Sequence, residues 1–242
     1  MKIPLIVLFV LMNLESFSQL RLPAIFSDHM ILQRDKAVKI WGFAKPGDAV
    51  NVIVGTAKGS AGADKNGKWL IILPPFRVGG PYVLTIKTKN ESKIYSDVLF
   101  GEVWLCSGQS NMQFRVRQAV NAKFDIHRAN NPLIRQVGIP NKLSFLPEEF
   151  IDSTQWIISV PQTAGEFTAV GFYFAREIYE RLRVPVGLIY DNWGGSQVES
   201  WISRDAMMTS DDLREYARQM PAGWDETNAR VEKNLKLSLI HI

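Results

Sequence analysis

The hydrophobic pattern of the chain changes near Gly101, and this change constrains the fold more than any other feature. Before it, short β-branched and aromatic runs are separated by turn residues, as in Val38–Phe43, a Pro-Gly turn and Ala49–Val54. After it, apolar strand-like runs alternate with helical periodicity. We therefore predict a mixed fold, with a small N-terminal β-sandwich over residues 19–98 and an α/β domain over residues 99–242.

The α/β prediction depends on a strand, a helix and a second strand in succession. The helix is indicated by apolar residues at helical spacing: Phe172, Ala175, Ile178, Tyr179 and Leu182. Residues 102–106 and 186–190 are typical of buried strands, and this order predicts a parallel, flavodoxin-like sheet. One more helix is predicted over residues 225–236. Because no closing strand follows it, we expect the sheet to be incomplete and the chain to be a fragment of a longer protein.

The N-terminus has the three parts of a secretory signal peptide. Lys2 precedes an apolar run over residues 3–12, and small residues at positions 16 and 18 permit cleavage after Ser18. The alternative is a buried N-terminal strand or helix, whereas the apolar run is too short to span a bilayer. We therefore expect residues 1–18 to be removed and the mature protein to be secreted or periplasmic, without a membrane segment.

The charge pattern argues against a nucleic-acid-binding protein, and the cysteine content argues against a protein stabilised by disulfides within the chain. The 28 basic and 24 acidic residues are mixed, without a long run of one sign or a basic-aromatic stripe, so we do not expect nucleic-acid binding. Cys106 is the single cysteine, so no disulfide can form within the chain. Its apolar surroundings predict a packed core thiol rather than a reactive one.

Ser110 is the candidate nucleophile. It follows the predicted strand after a Ser-Gly bend and precedes a possible helix, a setting that exposes a hydroxyl beside backbone amides. The sequence is not the Gly-x-Ser-x-Gly elbow of the α/β-hydrolases. Taken alone, the short motif therefore favours an ordinary strand-to-helix cap over a catalytic serine.

Two longer segments resemble the sialate O-acetylesterase family, a branch of the SGNH hydrolases. The first is GEVWLCSGQSNM at residues 101–112, and the second runs from VPVGLI at residues 184–189 through WGG to ESW at residues 199–201. The resemblance covers the chain from about residue 20 onward, because the family also places a β-rich module before its catalytic part. It implies an SGNH-type esterase domain that is truncated here.

The resemblance also implies roles for individual residues. Ser110 would be the nucleophile and contribute its own amide to the oxyanion hole, and Gly194 or Gly195 would supply a second amide. The alternative for the glycine pair is a tight turn after a strand. No metal ion or other cofactor is implied.

Four further residues are candidates for substrate binding. Gln109 and Asn111 flank the nucleophile and would orient it or the sugar, unless they cap the following helix. Glu199 and Trp201 would line the pocket, with the indole stacking on a sugar face. A tryptophan that only packs the domain is the alternative for Trp201.

The family's late Asp-x-x-His block is not visible in this chain. His29 lies in the β-rich region and His127 does not match the block, so both are interpreted as structural. His241 is the penultimate residue, and the position that would need aspartate is Ser238. We therefore expect the catalytic aspartate and histidine to lie beyond residue 242, and the isolated chain to be nearly inactive.

The leading hypothesis is a secreted serine carbohydrate esterase that removes O-acetyl groups from sialic acid or related acetylated glycans through an acetyl-enzyme. The alternatives are a non-catalytic carbohydrate-binding protein on a degenerate hydrolase scaffold and a purely structural sandwich domain. The sequence does not identify the acetylated sugar or the oligomeric state.

Overall fold

The computed structural model describes residues 19–144, 148–151, 153–221 and 223–239. Within these ranges the strands are β1 Ile31–Gln33, β2 Val38–Phe43, β3 Ala49–Val54, β4 Ala57–Gly62, β5 Lys68–Leu73, β6 Gly79–Lys87, β7 Ser92–Gly108, β8 Asn131–Gly138, β9 Trp156–Ser159 and β10 Val186–Asn192. The helices are α1 Ser110–Gln113, α2 Ala122–Arg128, α3 Ala169–Leu182, α4 Arg204–Thr209, α5 Arg214–Gln219 and α6 Trp224–Leu239. None of the helices described is long and apolar enough to cross a membrane. The predicted signal peptide lies outside the described residues.

One large mixed sheet runs through most of the molecule, with strand order β4-β3-β6-β7-β10-β8-β9 and β1 beside β7. β10 is parallel to both β7 and β8, so the predicted parallel unit is confirmed. On the N-terminal side β3, β4 and β6 pair antiparallel, and the β2–β5 pair forms a separate two-stranded sheet. The fold is thus mixed α/β, as predicted.

β7 connects the two parts of the sheet. Its first half pairs antiparallel with β6, and its second half pairs in parallel with β10. The strand therefore crosses the predicted boundary between residues 98 and 99 without a break.

The hydrophobic core is also shared across that boundary. The larger cluster lies among the N-terminal strands and includes Ile40, Val52 and Ile86, but it also takes in Trp156 of β9. The Trp156 indole N–H donates to the Ile25 carbonyl at 2.9 Å. A second cluster lies between the parallel strands and α3, which contains the predicted apolar positions and ends at Leu182, the last of them, but begins at Ala169, before the first.

A buried ion pair holds β8 against the N-terminal strands. Arg135 is 3% exposed, its guanidinium lies 3.0 Å from the Asp97 carboxylate, and it donates to the carbonyls of His29 and Asp97 at 2.8 and 2.7 Å. Burial lowers the pKa of Arg135 from its ordinary value, and the bonds to Asp97 oppose that effect. The paired charge fixes the position of the parallel strands relative to β7.

One burial prediction is wrong. The sequence predicted residues 102–106 as a buried strand, but Leu105 is 65% and Trp104 43% exposed. Among the described strands none pairs with residues 103–108 of β7 on the side away from β10. Cys106, in contrast, is buried as predicted.

Candidate active site

Ser110 lies exposed at the first residue of α1, directly after the end of β7. The chain reverses at Gly108, whose φ of 139° is one that L side chains rarely adopt, so glycine is needed there. The Gln113 amide donates to the Gln109 carbonyl at 3.0 Å, which closes a short helix behind the turn. The predicted strand, turn and helix around Ser110 are therefore present, although the helix has only four residues.

The Ser110 hydroxyl has no hydrogen-bond partner among the described residues. His29 instead bonds Asp97 through Nδ1 at 2.7 Å, and His127 is exposed in the last turn of α2. His241 lies outside the described residues. The part of the chain that the structure describes therefore presents a serine without a hydrogen-bonded base.

The predicted glycine pair lies beside Ser110. A Cβ placed on Gly194 would lie 3.5 Å from the Ser110 Cα, which is ordinary van der Waals contact, whereas it would come within 2.3 Å of Gln113 Oε1 and displace that side chain. The Gly194 amide donates to Gln113 Oε1 at 2.9 Å. Gly195 has a φ of 79° and follows Gly194 in the turn that the Ser196 amide closes onto the Trp193 carbonyl. The pair therefore lies in a turn after β10, and its role as an oxyanion donor stays a prediction.

Two of the predicted substrate-binding residues meet at Ser196. Gln109 Nε2 donates to the Ser196 carbonyl, and the Trp201 indole N–H donates to the Ser196 hydroxyl at 2.8 Å. The bond from Gln109 holds the loop after β10 against the residue before α1, whereas the bond from Trp201 lies within the segment that follows β10. Asn111 is exposed, and Glu199 is half-buried in a single 3₁₀ turn. None of these placements tests the predicted roles in binding, which stay predictions.

Sequence reasoning missed a cleft of about 300 Å³ beside α1. It is lined by Gln113, Arg115, Tyr190 and Asn192, among others. Asn192 is 2% exposed, and neither atom of its carboxamide has a partner in the described structure. A buried amide without partners is costly unless water or a ligand satisfies it, so this cleft has the polarity of a binding site.

Arg115 gives the cleft a positive charge. Its guanidinium lies 4.1 Å from the centroid of the Tyr190 ring, and Nη1 donates to the Glu166 carbonyl. The Glu166 carboxylate pairs with Arg117 instead. Because no aspartate or glutamate is among the described residues that line the cleft, the charge of Arg115 is not neutralised there.

A half-buried carboxyl group lies on the opposite face of β10. Asp191 precedes Asn192 and is in register with Ser107 of β7. Burial raises the pKa of Asp191 above its ordinary value. Asp191 was not a candidate in the sequence analysis, because it lies just past the predicted strand at residues 186–190, and the structure extends that strand to Asn192.

Two mammalian proteins named sialate O-acetylesterase are similar to this chain. The chain is 34% identical to the sialate O-acetylesterase of Mus musculus and 32% identical to that of Homo sapiens, in each case over 76% of its own length. It spans 38% and 39% of the lengths of these two relatives. No protein-family model matches the chain.

A solved structure of an esterase is also similar to this chain. A carbohydrate acetylesterase from Xanthomonas citri superposes with a TM-score of 0.76 and 34% identity, covering 84% of this chain and 46% of the other. Over the part that these similarities cover, the chain belongs to the sialate O-acetylesterase family.

Proposed function

We propose that this chain is part of an exported serine esterase that removes O-acetyl groups from sialic acid or related acetylated glycans. The observation that carries the proposal is the placement of Ser110: an exposed hydroxyl on a strand-to-helix turn, packed against Gly194. The family relationship supports an ester substrate on a carbohydrate. The N-terminal signal sequence pattern supports export.

In the proposed reaction Ser110 Oγ attacks the acetyl carbonyl carbon while a base accepts the hydroxyl proton. The tetrahedral intermediate then collapses, the bond to the sugar oxygen breaks, and that oxygen takes up the proton. Water next attacks the acetyl-enzyme, which releases acetate and restores the Ser110 hydroxyl. We infer that the base lies outside the described residues, and a general base contributes about 10²- to 10⁴-fold to such a step.

Backbone amides would stabilise the oxyanion. The Ser110 amide and one glycine amide are the proposed donors. Gly194 donates to Gln113 in this structure, so it would reach the oxyanion only after Gln113 moves, whereas the Gly195 amide makes no bond with a described residue. This favours Gly195 as the second donor.

The cleft beside α1, which contains the positive charge of Arg115, supports an acidic sugar rather than a neutral one as the substrate. Its residue Gln113 lies one helical turn from Ser110, so a sugar whose acetyl group reaches Ser110 would extend toward the cleft. A guanidinium held flat on an aromatic ring matches the geometry of a carboxylate. Sialic acid carries such a group, and neutral acetylated polysaccharides do not.

The proposal is tested by covalent labelling with a fluorophosphonate, which reacts only with an activated serine. In the protein at the full length of its relatives, we expect one adduct on the peptide that contains Ser110 and none in Ser110→Ala. Ser107→Ala is the matched control and should label normally, because this serine lies within β7. Labelling that survives Ser110→Ala, or is absent from the unmutated protein, would contradict the proposal.

The second candidate is a carbohydrate-binding protein without turnover, favoured by the absence of a base near Ser110 in the described structure. The two candidates differ in aryl acetate hydrolysis by the full-length protein, which only the esterase performs. The 242-residue chain alone should show almost no turnover. Turnover by this chain that is abolished by Ser110→Ala, but unaffected by His127→Ala and His241→Ala, would show that the inference about the missing base is wrong.

A further inference from the structure

A second cleft lies at the opposite end of the parallel strands from Ser110. It has a volume of about 410 Å³ and is bordered by the end of α2, the start of β8, the end of β9 and one side of α3. β8 runs for eight residues from this cleft toward the Ser110 edge. The nearest lining residues on this strand, Ile134 of this cleft and Gly138 of the cleft beside α1, are about 13 Å apart at about 3.3 Å per residue, so the two clefts are separate.

Three arginines line this cleft, which we call the distal cleft: Arg128, Arg176 and Arg183. Arg176 pairs with Asp125 at 3.0 Å. Arg128 and Arg183 form no ion pair with any residue that the structure describes. Glu180 is the one carboxylate among the described lining residues, so the lining carries an excess of positive charge.

Aromatic rings hold the two unpaired guanidinium groups in place. Arg128 lies 5.0 Å from the centroid of Phe124, and Arg183 lies 5.4 Å from that of Tyr179. Stacking on a ring orients a guanidinium and leaves its N–H groups available. The donors are therefore ordered before any ligand arrives, which lowers the entropic cost of binding.

A buried hydroxyl lies among the residues that line the distal cleft. Ser159, the last residue of β9, is 1% exposed, and its Oγ has no hydrogen-bond partner in the described structure. Such a group is normally satisfied, so a bound ligand oxygen or a water is needed here. This observation is independent of the arginines and points to the same place.

We propose that the distal cleft binds an oxyanion, the carboxylate or phosphate group of a small ligand, between Arg128 and Arg183. Arg176 adds positive charge beside them, and Ser159 supplies a hydroxyl at the base of the cleft. The oxyanion accepts forked hydrogen bonds from the guanidinium groups, as carboxylates and phosphates do. The site does not depend on the esterase chemistry proposed for Ser110.

The decisive variant is Arg183→Gly. Arg183 ends α3 with a φ of 54°, a left-handed conformation that glycine adopts more readily than arginine. This variant should therefore fold at least as stably as the unmutated protein while losing one of the two guanidinium groups. Arg181→Gln is the matched control, because Arg181 lies on the same helix, pairs with Glu177 and does not line the cleft.

Binding is measured by isothermal titration calorimetry on the full chain, with inorganic phosphate, glucuronate and neutral methyl glucoside as probes. We expect phosphate or glucuronate to bind saturably and methyl glucoside not to bind; the tighter anion identifies the source of the oxyanion. Arg183→Gly and Arg128→Gln should each weaken binding by about tenfold to a hundredfold. Arg181→Gln should bind as the unmutated protein does. Failure of both anions to saturate the protein, or equal binding by Arg183→Gly, would overturn the proposal.

Discussion

The N-terminal strands and the carboxyl edge of the parallel strands differ in how their residues are used. Among the N-terminal strands, side chains such as Ile40, Val52 and Ile86 are fully buried in a continuous apolar core. At the carboxyl edge, α1 has no buried residue, and the nearby Asn192 amide is buried without partners. The first region supplies stability, whereas the second keeps polar groups available for a ligand. Substitutions in the first region should therefore change mainly the free energy of unfolding, whereas substitutions in the second should change mainly the reactivity of the site.

The largest effect on stability is expected for Phe100→Ala. Phe100 is fully buried in β7 and stacks on Phe76 with ring centroids 4.1 Å apart. Removing the ring should lower the free energy of unfolding by about 3–5 kcal/mol, measured by urea denaturation. Ser110→Ala, at the other end of the same strand, should change it by less than about 0.5 kcal/mol. A loss at Ser110 as large as that at Phe100 would remove the distinction between the regions.

A smaller effect concerns Cys106, which lies four residues before Ser110. Burial raises the pKa of its thiol to about 11 from a model-peptide value of 9.0. The folded state therefore holds this proton more tightly than the unfolded state, so stability should fall as the pH rises from 9 to 11. The upper limit is about 3 kcal/mol at 1.36 kcal/mol per unit.

Urea denaturation at pH 8 and pH 10.5 measures this loss, and Cys106→Ala should reduce it. Iodoacetamide should also modify native Cys106 far more slowly at pH 8 than the unfolded protein. Rapid modification of the native protein would show that the Cys106 thiol is accessible to solvent and that the apolar core does not include it.

Moderate stability changes are expected for substitutions of two glycines, one in each region. Gly194→Ala would place a Cβ 2.3 Å from Gln113 Oε1 and displace that side chain from the Gly194 amide, at a cost of about 1 kcal/mol. Gly47→Ala meets no neighbour, but its φ of 84° costs about 1–2 kcal/mol in the N-terminal region.

Fluorophosphonate labelling of the full-length protein distinguishes these two variants. Gly194→Ala should slow labelling of Ser110 by about tenfold or more, because small displacements at a reacting centre are costly. Gly47→Ala should leave the rate unchanged despite its equal or greater loss of stability. Equal rates in the two variants would mean that Gly194 acts only as a turn residue.

The local elements were largely predictable because their signals are local. Val38–Phe43 and Ala49–Val54 have the predicted bounds, since alternating apolar residues are separated by a Pro-Gly turn. β4 was missed because its sequence, AKGSAG, contains no β-branched or aromatic residue. β8, which is parallel to β10, and β9, which pairs antiparallel with β8, were also missed.

The site was only partly predictable because it is assembled from distant segments. Ser110 and the glycine pair follow from the motifs, but the bond between Gln113 and Gly194 joins residues 81 positions apart. Nothing in the sequence around Arg115 indicates that it would lie over Tyr190. Such contacts are decided by the packing of α1 against β10, which no local pattern encodes.

The continuity of β7 has a consequence for how this protein can be rebuilt. The first half of this seventeen-residue strand pairs with the N-terminal strands, and Ser110 follows two residues after its last residue, Gly108. An exchange of residues 19–98 for another β-rich module would remove β6 together with the first part of β7, and would therefore interrupt the strand itself. The N-terminal region therefore cannot be exchanged independently of the strand that leads to Ser110. Chimeras should be joined at positions outside β7.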